Sequence, residues 1–75
     1  MRVTFDPTAD AAYIYLSESS SAEFGYSYNC DPVEAKAMIN LDFDRDGRLI
    51  GIEVLGAQAH LPADVIARAE RLGST

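Results

Sequence analysis

The chain has 75 residues, 48% of them apolar and 24% charged, with twelve acids against six bases and a net charge of −6. That is room for one small domain, 1–75, with ordinary globular rather than disordered composition. The bases Arg2, Lys36, Arg45, Arg48, Arg68 and Arg71 are scattered, which disfavours nucleic-acid binding, because phosphate recognition needs concentrated positive potential. The opening MRVTFDPTAD has no apolar run behind a basic start, so no secretory signal is expected. No apolar run approaches the roughly eighteen residues of a membrane span. One cysteine, Cys30, allows no intrachain disulfide and fits a reducing cytoplasm. A domain of this size buries only about 60% of its unfolded surface, so a homodimer is expected to supply further burial.

The elements follow from periodicity. RVTFD, 2–6, alternates with Val3 and Phe5 on one side, a short strand. DPTAD breaks it, because a residue before proline favours an extended or turn conformation. AAYIYLS, 11–17, alternates again: Ala12, Ile14 and Leu16 share one face, Tyr13 and Tyr15 the other. SESSSAE, 17–23, reads as a polar turn. FGYSYNC, 24–30, predicts a third strand with Phe24, Tyr26, Tyr28 and Cys30 on one face. In DPVEAKA, 31–37, Asp31, Pro32 and Glu34 resemble a helix start, but the segment is short and predicts a loop with at most one helical turn. MINLDF resumes period two through Ile39, Leu41 and Phe43. RLIGIEVL, 48–55, predicts a fifth strand through Ile50, Ile52 and Val54. LPADVIARAERL predicts one helix over about 62–72, with Leu61, Val65, Ala69 and Leu72 as its apolar stripe, Ile66 beside it and Gly73 at its stop.

One stretch carries a competing reading. DFDRDGRLIGIE, 42–53, matches the calcium-loop template at Asp42, Asp44, Asp46, Gly47 and Glu53. A calcium loop of that kind needs flanking helices and a twelfth residue that returns to the ion. The downstream residues Ile50, Ile52 and Val54 set a strand period instead. An Asp46-Gly47 type I′ turn would pair Arg45 with Arg48, Phe43 with Ile50, Leu41 with Ile52 and Ile39 with Val54. All six apolar residues of those inner pairs then share one face, and Asp42 lies opposite Gly51, Asn40 opposite Glu53. Asp44 would stand roughly 13 Å from the level of Glu53, too far for ligands that reach an ion at about 2.4 Å. The hairpin is the expected structure.

FDPTADAAYIYLS and LDFDRDGRLIGIEVLGA together resemble the uncharacterised bacterial family known as domain of unknown function 2283, whose members read DPEADALYIxLS followed by DYDEDGRLVGIEIL-type hairpins. The resemblance spans most of residues 2–57. It implies a small β-rich domain with a terminal helix and brings no catalytic or binding residues with it.

Other chemistry is thinly supported. His60 is the only histidine and is expected to be an exposed loop residue; with Cys30 as the sole thiol there is no zinc pattern. Cys30 follows Asn29 and precedes Asp31, whose negative charge disfavours a thiolate, so a buried or idle thiol is expected. No Ser-His-Asp arrangement, G-x-S-x-G elbow or glycine-rich phosphate loop occurs. The constellation of interest is the second face of the sheet: Tyr13, Tyr15, Asn40, Asp42 and Glu53. It admits three readings: a covered face with tyrosine hydroxyls bonded to acids, a protein interface, or a small-molecule or catalytic site.

The expected fold is α+β: an antiparallel meander of four to five strands with a C-terminal helix packed on one face. The expected function is a non-enzymatic protein-interaction module, a homodimer, with an antitoxin-like acidic partner for a basic protein as one form of it. The alternative is a small-molecule-binding or catalytic domain on the second face. Calcium binding at 42–53 follows only if the hairpin fails. No cofactor and no catalytic residue is expected.

Overall fold

The computed structural model describes residues 1–17, 23–30 and 36–73. The polar turn expected at 17–23 and the loop expected at 31–37 fall largely outside these residues. The five expected strands are present: β1 (Arg2–Asp6), β2 (Ala11–Tyr15), β3 (Phe24–Asn29), β4 (Met38–Asp44) and β5 (Leu49–Leu55). After them come α1 (Ala57–His60), α2 (Ala63–Arg68) and a two-residue strand β6 (Glu70–Arg71). The chain is α+β, with one six-stranded sheet in the order β3-β4-β5-β2-β1-β6.

That order departs from a simple meander. β3, β4 and β5 form one antiparallel run, and β1 and β2 form a hairpin, but the two join through β2 and β5. Strands β2 and β3, consecutive in sequence, therefore lie apart, and β3 becomes an edge. The long-range pairing sets Ala12 opposite Val54, Ile14 opposite Ile52 and Tyr15 opposite Gly51. Apolar side chains thus continue one face from β1 to β4, and polar ones continue the other.

The β1–β2 turn is built by aspartates. Asp6 Oδ1 accepts the amides of Thr8 (3.0 Å) and Ala9 (3.4 Å), the local bond that lets Asp close a turn. Asp10 then takes a left-handed φ of 52°, which a short polar side chain tolerates better than most. In that conformation its carbonyl accepts the Ala57 amide (2.9 Å) and its Oδ1 accepts the Gln58 amide (3.1 Å). Two amides of the first turn of α1 are thereby satisfied from across the sheet.

The 42–53 stretch is a hairpin, but its turn differs from type I′. Gly47 donates to the Asp44 carbonyl (3.1 Å) and Asp44 to the Arg48 carbonyl (2.9 Å). Gly47 has φ 82°, whereas positive φ among the described non-glycine residues is confined to Asp10 and Lys36. This is a three-residue loop, a type I turn followed by a left-handed glycine. It pairs Phe43 with Leu49 rather than Ile50. A register shift between Asp42 and Phe43 leaves Ile50 as the extra residue and restores the expected pairs Asp42–Gly51, Leu41–Ile52, Asn40–Glu53 and Ile39–Val54. The bulge undoes what the longer loop does. A second bulge at Gly25 sets Phe24 opposite Asp44, so Phe24 does not continue the row of Tyr26 and Tyr28.

The expected 62–72 helix is shorter than its apolar stripe. It ends at Arg68; Ala69 is extended (φ −70°, ψ 149°), and Glu70–Arg71 pair in parallel with Thr4–Phe5. The reason lies at the open edge of β1. That edge supplies backbone partners, including the Phe5 carbonyl for the Leu72 amide (2.9 Å), and Arg2 holds Glu70 in a two-pronged ion pair. Leu72 is consequently exposed rather than part of a helix stripe.

The core sits at the β1–β2 end of the sheet. Phe5, Ala12 and Ala57 are buried together, with Leu61, Ile66 and Ala69 packed on them. Among the described residues, Phe5 and Thr4 are the largest side chains buried completely. The helical layer thus covers the sheet at one end. Leu41, Phe43 and Ile52, toward the other end, are only partly buried.

Candidate functional site

The two faces of the sheet present different chemistry. On the polar face, the five residues singled out in the sequence are brought together. Tyr13 on β2 and Tyr15 on the same strand lie with ring centroids 4.7 Å apart. The Tyr13 hydroxyl donates to Asp42 Oδ2 (2.6 Å) on β4, and Ser27 on β3 donates to the other oxygen, Oδ1 (2.6 Å). Asn40 Nδ2 donates to Glu53 Oε1 (2.8 Å) across the β4–β5 pair.

Glycine makes the Tyr13–Asp42 bond possible. Gly51 on β5 lies between them, directly opposite both Tyr15 and Asp42. The Tyr13 ring lies over Gly51, and a Cβ built there would overlap the phenol. The missing side chain is the channel through which the tyrosine crosses β5. Partial burial, reinforced by the hydrogen bond to Asp42 and the charges of Asp42 and Glu53, pushes the Tyr13 phenol well above the ordinary tyrosine range. Tyr13 is therefore a neutral donor at ordinary pH and a poor general base.

Two residues of this face were not singled out from the sequence. Ser27 completes the Asp42 carboxylate. Arg2 lies with its guanidinium 4.7 Å above the Tyr15 ring and pairs with Glu70 (2.8 Å), which raises its own pKa and lowers that of Glu70. Neither was visible without strand order, since Arg2 meets Glu70 only because β6 docks on β1.

The template acids are dispersed by the hairpin. Asp44 Oδ1 accepts the amides of Asp46 and Arg48, both at 2.9 Å, and so shapes the turn. Asp42 and Glu53 are bonded on the polar face, and exposed Asp46 reaches Arg48 at 3.5 Å. Among the described residues no group of three or more His, Cys, Asp or Glu side chains is placed to hold a metal ion. His60 is half-buried in α1 rather than in an exposed loop, and its Nδ1 lies 2.8 Å from the Gly56 carbonyl. Cys30 is exposed, not buried.

The apolar face is open at the β3–β4 end. On the edge strand, Tyr26 is 53% exposed and Tyr28 61% exposed, and Tyr26 stacks on Phe43 with centroids 5.0 Å apart. Every residue of β3 is exposed. The alternation of Tyr26 and Tyr28 was legible in the sequence; their position at an uncovered edge was not.

The family model for protein of unknown function (DUF2283) matches residues 2–58. The chain belongs to this family. The match takes in both hairpins and the polar face, and stops at the start of α1, so α2 and β6 lie beyond the shared region. No curated protein and no solved structure matches the chain. No helix among the described residues is long and apolar enough to cross a membrane.

Proposed function

We propose that this DUF2283 member is a protein-interaction module that self-associates into a homodimer through the uncovered β3–β4 end of its sheet. The observation that carries the reading is the exposure of Tyr26 and Tyr28 beside the stacked Phe43, on a sheet whose described helices pack at the other end. A sheet with one apolar face is stable when a second layer or further strands cover that face. Large aromatic side chains left half in water are typical of contact surfaces, where they bury much area at little entropic cost.

The polar face supports interaction less well. Tyr13, Asn40, Asp42 and Glu53 already satisfy one another, so a partner there would have to displace good hydrogen bonds. Between the tyrosine face of β2 and the open sheet edge, the geometry favours the edge.

Sedimentation equilibrium at micromolar concentration tests this. The expected mass is twice the 8.2 kDa of the chain. Tyr26→Asp with Tyr28→Asp should return it to the single-chain value with unchanged circular dichroism. A wild-type monomer at millimolar concentration would contradict the reading.

A further inference from the structure

The free side of β3 has a pattern that fits itself. Cys30 donates to the Ile39 carbonyl (2.7 Å), and the pairs Asn29–Asn40, Tyr28–Leu41, Ser27–Asp42 and Tyr26–Phe43 continue that register. In an antiparallel ladder hydrogen-bonded and non-hydrogen-bonded pairs alternate. Cys30, Tyr28 and Tyr26 therefore direct their backbone groups at β4. Ser27 and Asn29 direct theirs away from it, toward the side of β3 where no described strand pairs. The strand carries no charged side chain and no proline, FGYSYN throughout. Charge and proline are common means by which edge strands resist pairing, and β3 has neither; its one protective device is the bulge at Gly25.

We propose that two copies pair edge to edge through β3, antiparallel, with Ser27 on the two-fold axis, so that the two sheets become one. This rests on the self-association proposed above and specifies its mode. With Ser27 opposite its symmetry mate, the outward backbone groups of each copy meet those of the other in a reciprocal hydrogen-bonded pair. Tyr26 of one copy then stands opposite Tyr28 of the other. That is a non-hydrogen-bonded pair, in which Cα atoms approach to about 4.5 Å and cross-strand aromatic contact is closest. Both such pairs lie on the apolar face and extend the Tyr26–Phe43 stack across the joint. The dimer is isologous, since Ser27 meets its own counterpart and each Tyr26–Tyr28 contact is repeated by the two-fold axis. The chain's net charge of −6 opposes association of copies in general. An uncharged strand is where that opposition is weakest. Ser27 itself is small, and its hydroxyl is turned to Asp42 within its own chain, so the axis is not crowded.

Three variants read the mode separately from the fact of association. Ser27→Pro removes the outward N–H and leaves every β3–β4 backbone bond, as proline is tolerated at an edge with its nitrogen facing solvent. It should halve the sedimentation mass, whereas Ser27→Ala, which loses the hydroxyl and keeps the N–H, should remain dimeric. Ser27→Cys in a Cys30→Ser chain should oxidise to a covalent dimer. A hydrogen-bonded antiparallel pair sets its Cα atoms about 5.5 Å apart, within disulfide range. A wild-type dimer that survives Ser27→Pro and does not cross-link at position 27 would overturn the edge pairing while leaving self-association intact. A wild-type monomer would overturn both.

Discussion

Tyr13 and Asp42 are joined by a 2.6 Å hydrogen bond although their strands do not pair; β5 lies between them, and the bond passes over Gly51. This contact ties the β1–β2 hairpin to the β3–β4–β5 run on the polar face, where no described helix reinforces the joint. Gly51→Ala should therefore be costly out of proportion to one methyl group. The new Cβ overlaps the Tyr13 ring, and a loss of about 1–3 kcal/mol is expected, the range for overpacking. Chemical denaturation measures it. In the Tyr13→Ala background the same substitution should cost much less, so the double-mutant cycle reports the coupling.

The raised Tyr13 pKa has a consequence at alkaline pH. A tyrosine in the unfolded chain titrates near 10.0, and the folded-state value lies above it. Between the two, the unfolded state has lost a proton that the native state keeps, so stability falls with rising pH. The contribution is complete below pH 10 and is lost as the pH climbs through the folded-state value. Tyr13→Phe should remove this part of the alkaline slope in denaturant midpoint, and at neutral pH should cost about 1 kcal/mol for the missing hydrogen bond.

The hairpin loop separates two adjacent residues that a type I′ turn would treat alike. Only Gly47 has a left-handed φ, with open space around it. Gly47→Val should lose about 1–3 kcal/mol from backbone strain alone, with Gly47→Asn milder. Asp46→Thr should lie within about 0.5 kcal/mol of wild type, as an exposed surface change does. Equal penalties at 46 and 47 in thermal melts would mean that the turn is type I′ after all. Millimolar calcium should leave the amide shifts of 42–53 unmoved, because Asp44 is engaged with its own turn and Asp42 with Tyr13 and Ser27.

Much of this fold could be read locally. Val3 and Phe5, Ile39 and Leu41, Ile52 and Val54 declare their strands by alternation, and Asp46-Gly47 declares a turn. The pairs Asn40–Glu53 and Asp42–Gly51 followed from counting outward, even though the loop is one residue longer than assumed, because the Ile50 bulge compensates. What local pattern could not reveal is strand order. The β2–β5 pairing depends on side chains some forty residues apart, and it alone decides that β3 is an edge and that Tyr13 meets Asp42. The tail misled for a related reason. Val65, Ile66, Ala69 and Leu72 have helical spacing, but Glu70 has an Arg2 to reach and a strand edge to join, and tertiary pairing won over propensity. On the candidate site, the sequence singled out the polar face, which is bonded within itself, and did not single out the aromatic edge.

The most direct test of the account is amide hydrogen exchange along β3 as a function of protein concentration. In the single chain, Tyr28 and Cys30 are bonded to β4 while Ser27 and Asn29 face outward, so protection should alternate along the strand at high dilution. As concentration rises through the association range, Ser27 should become protected along with its neighbours, and Tyr13 and Tyr15 should not change. Ser27 exchanging at the same fast rate in a sample whose mass is that of a dimer would contradict the edge pairing.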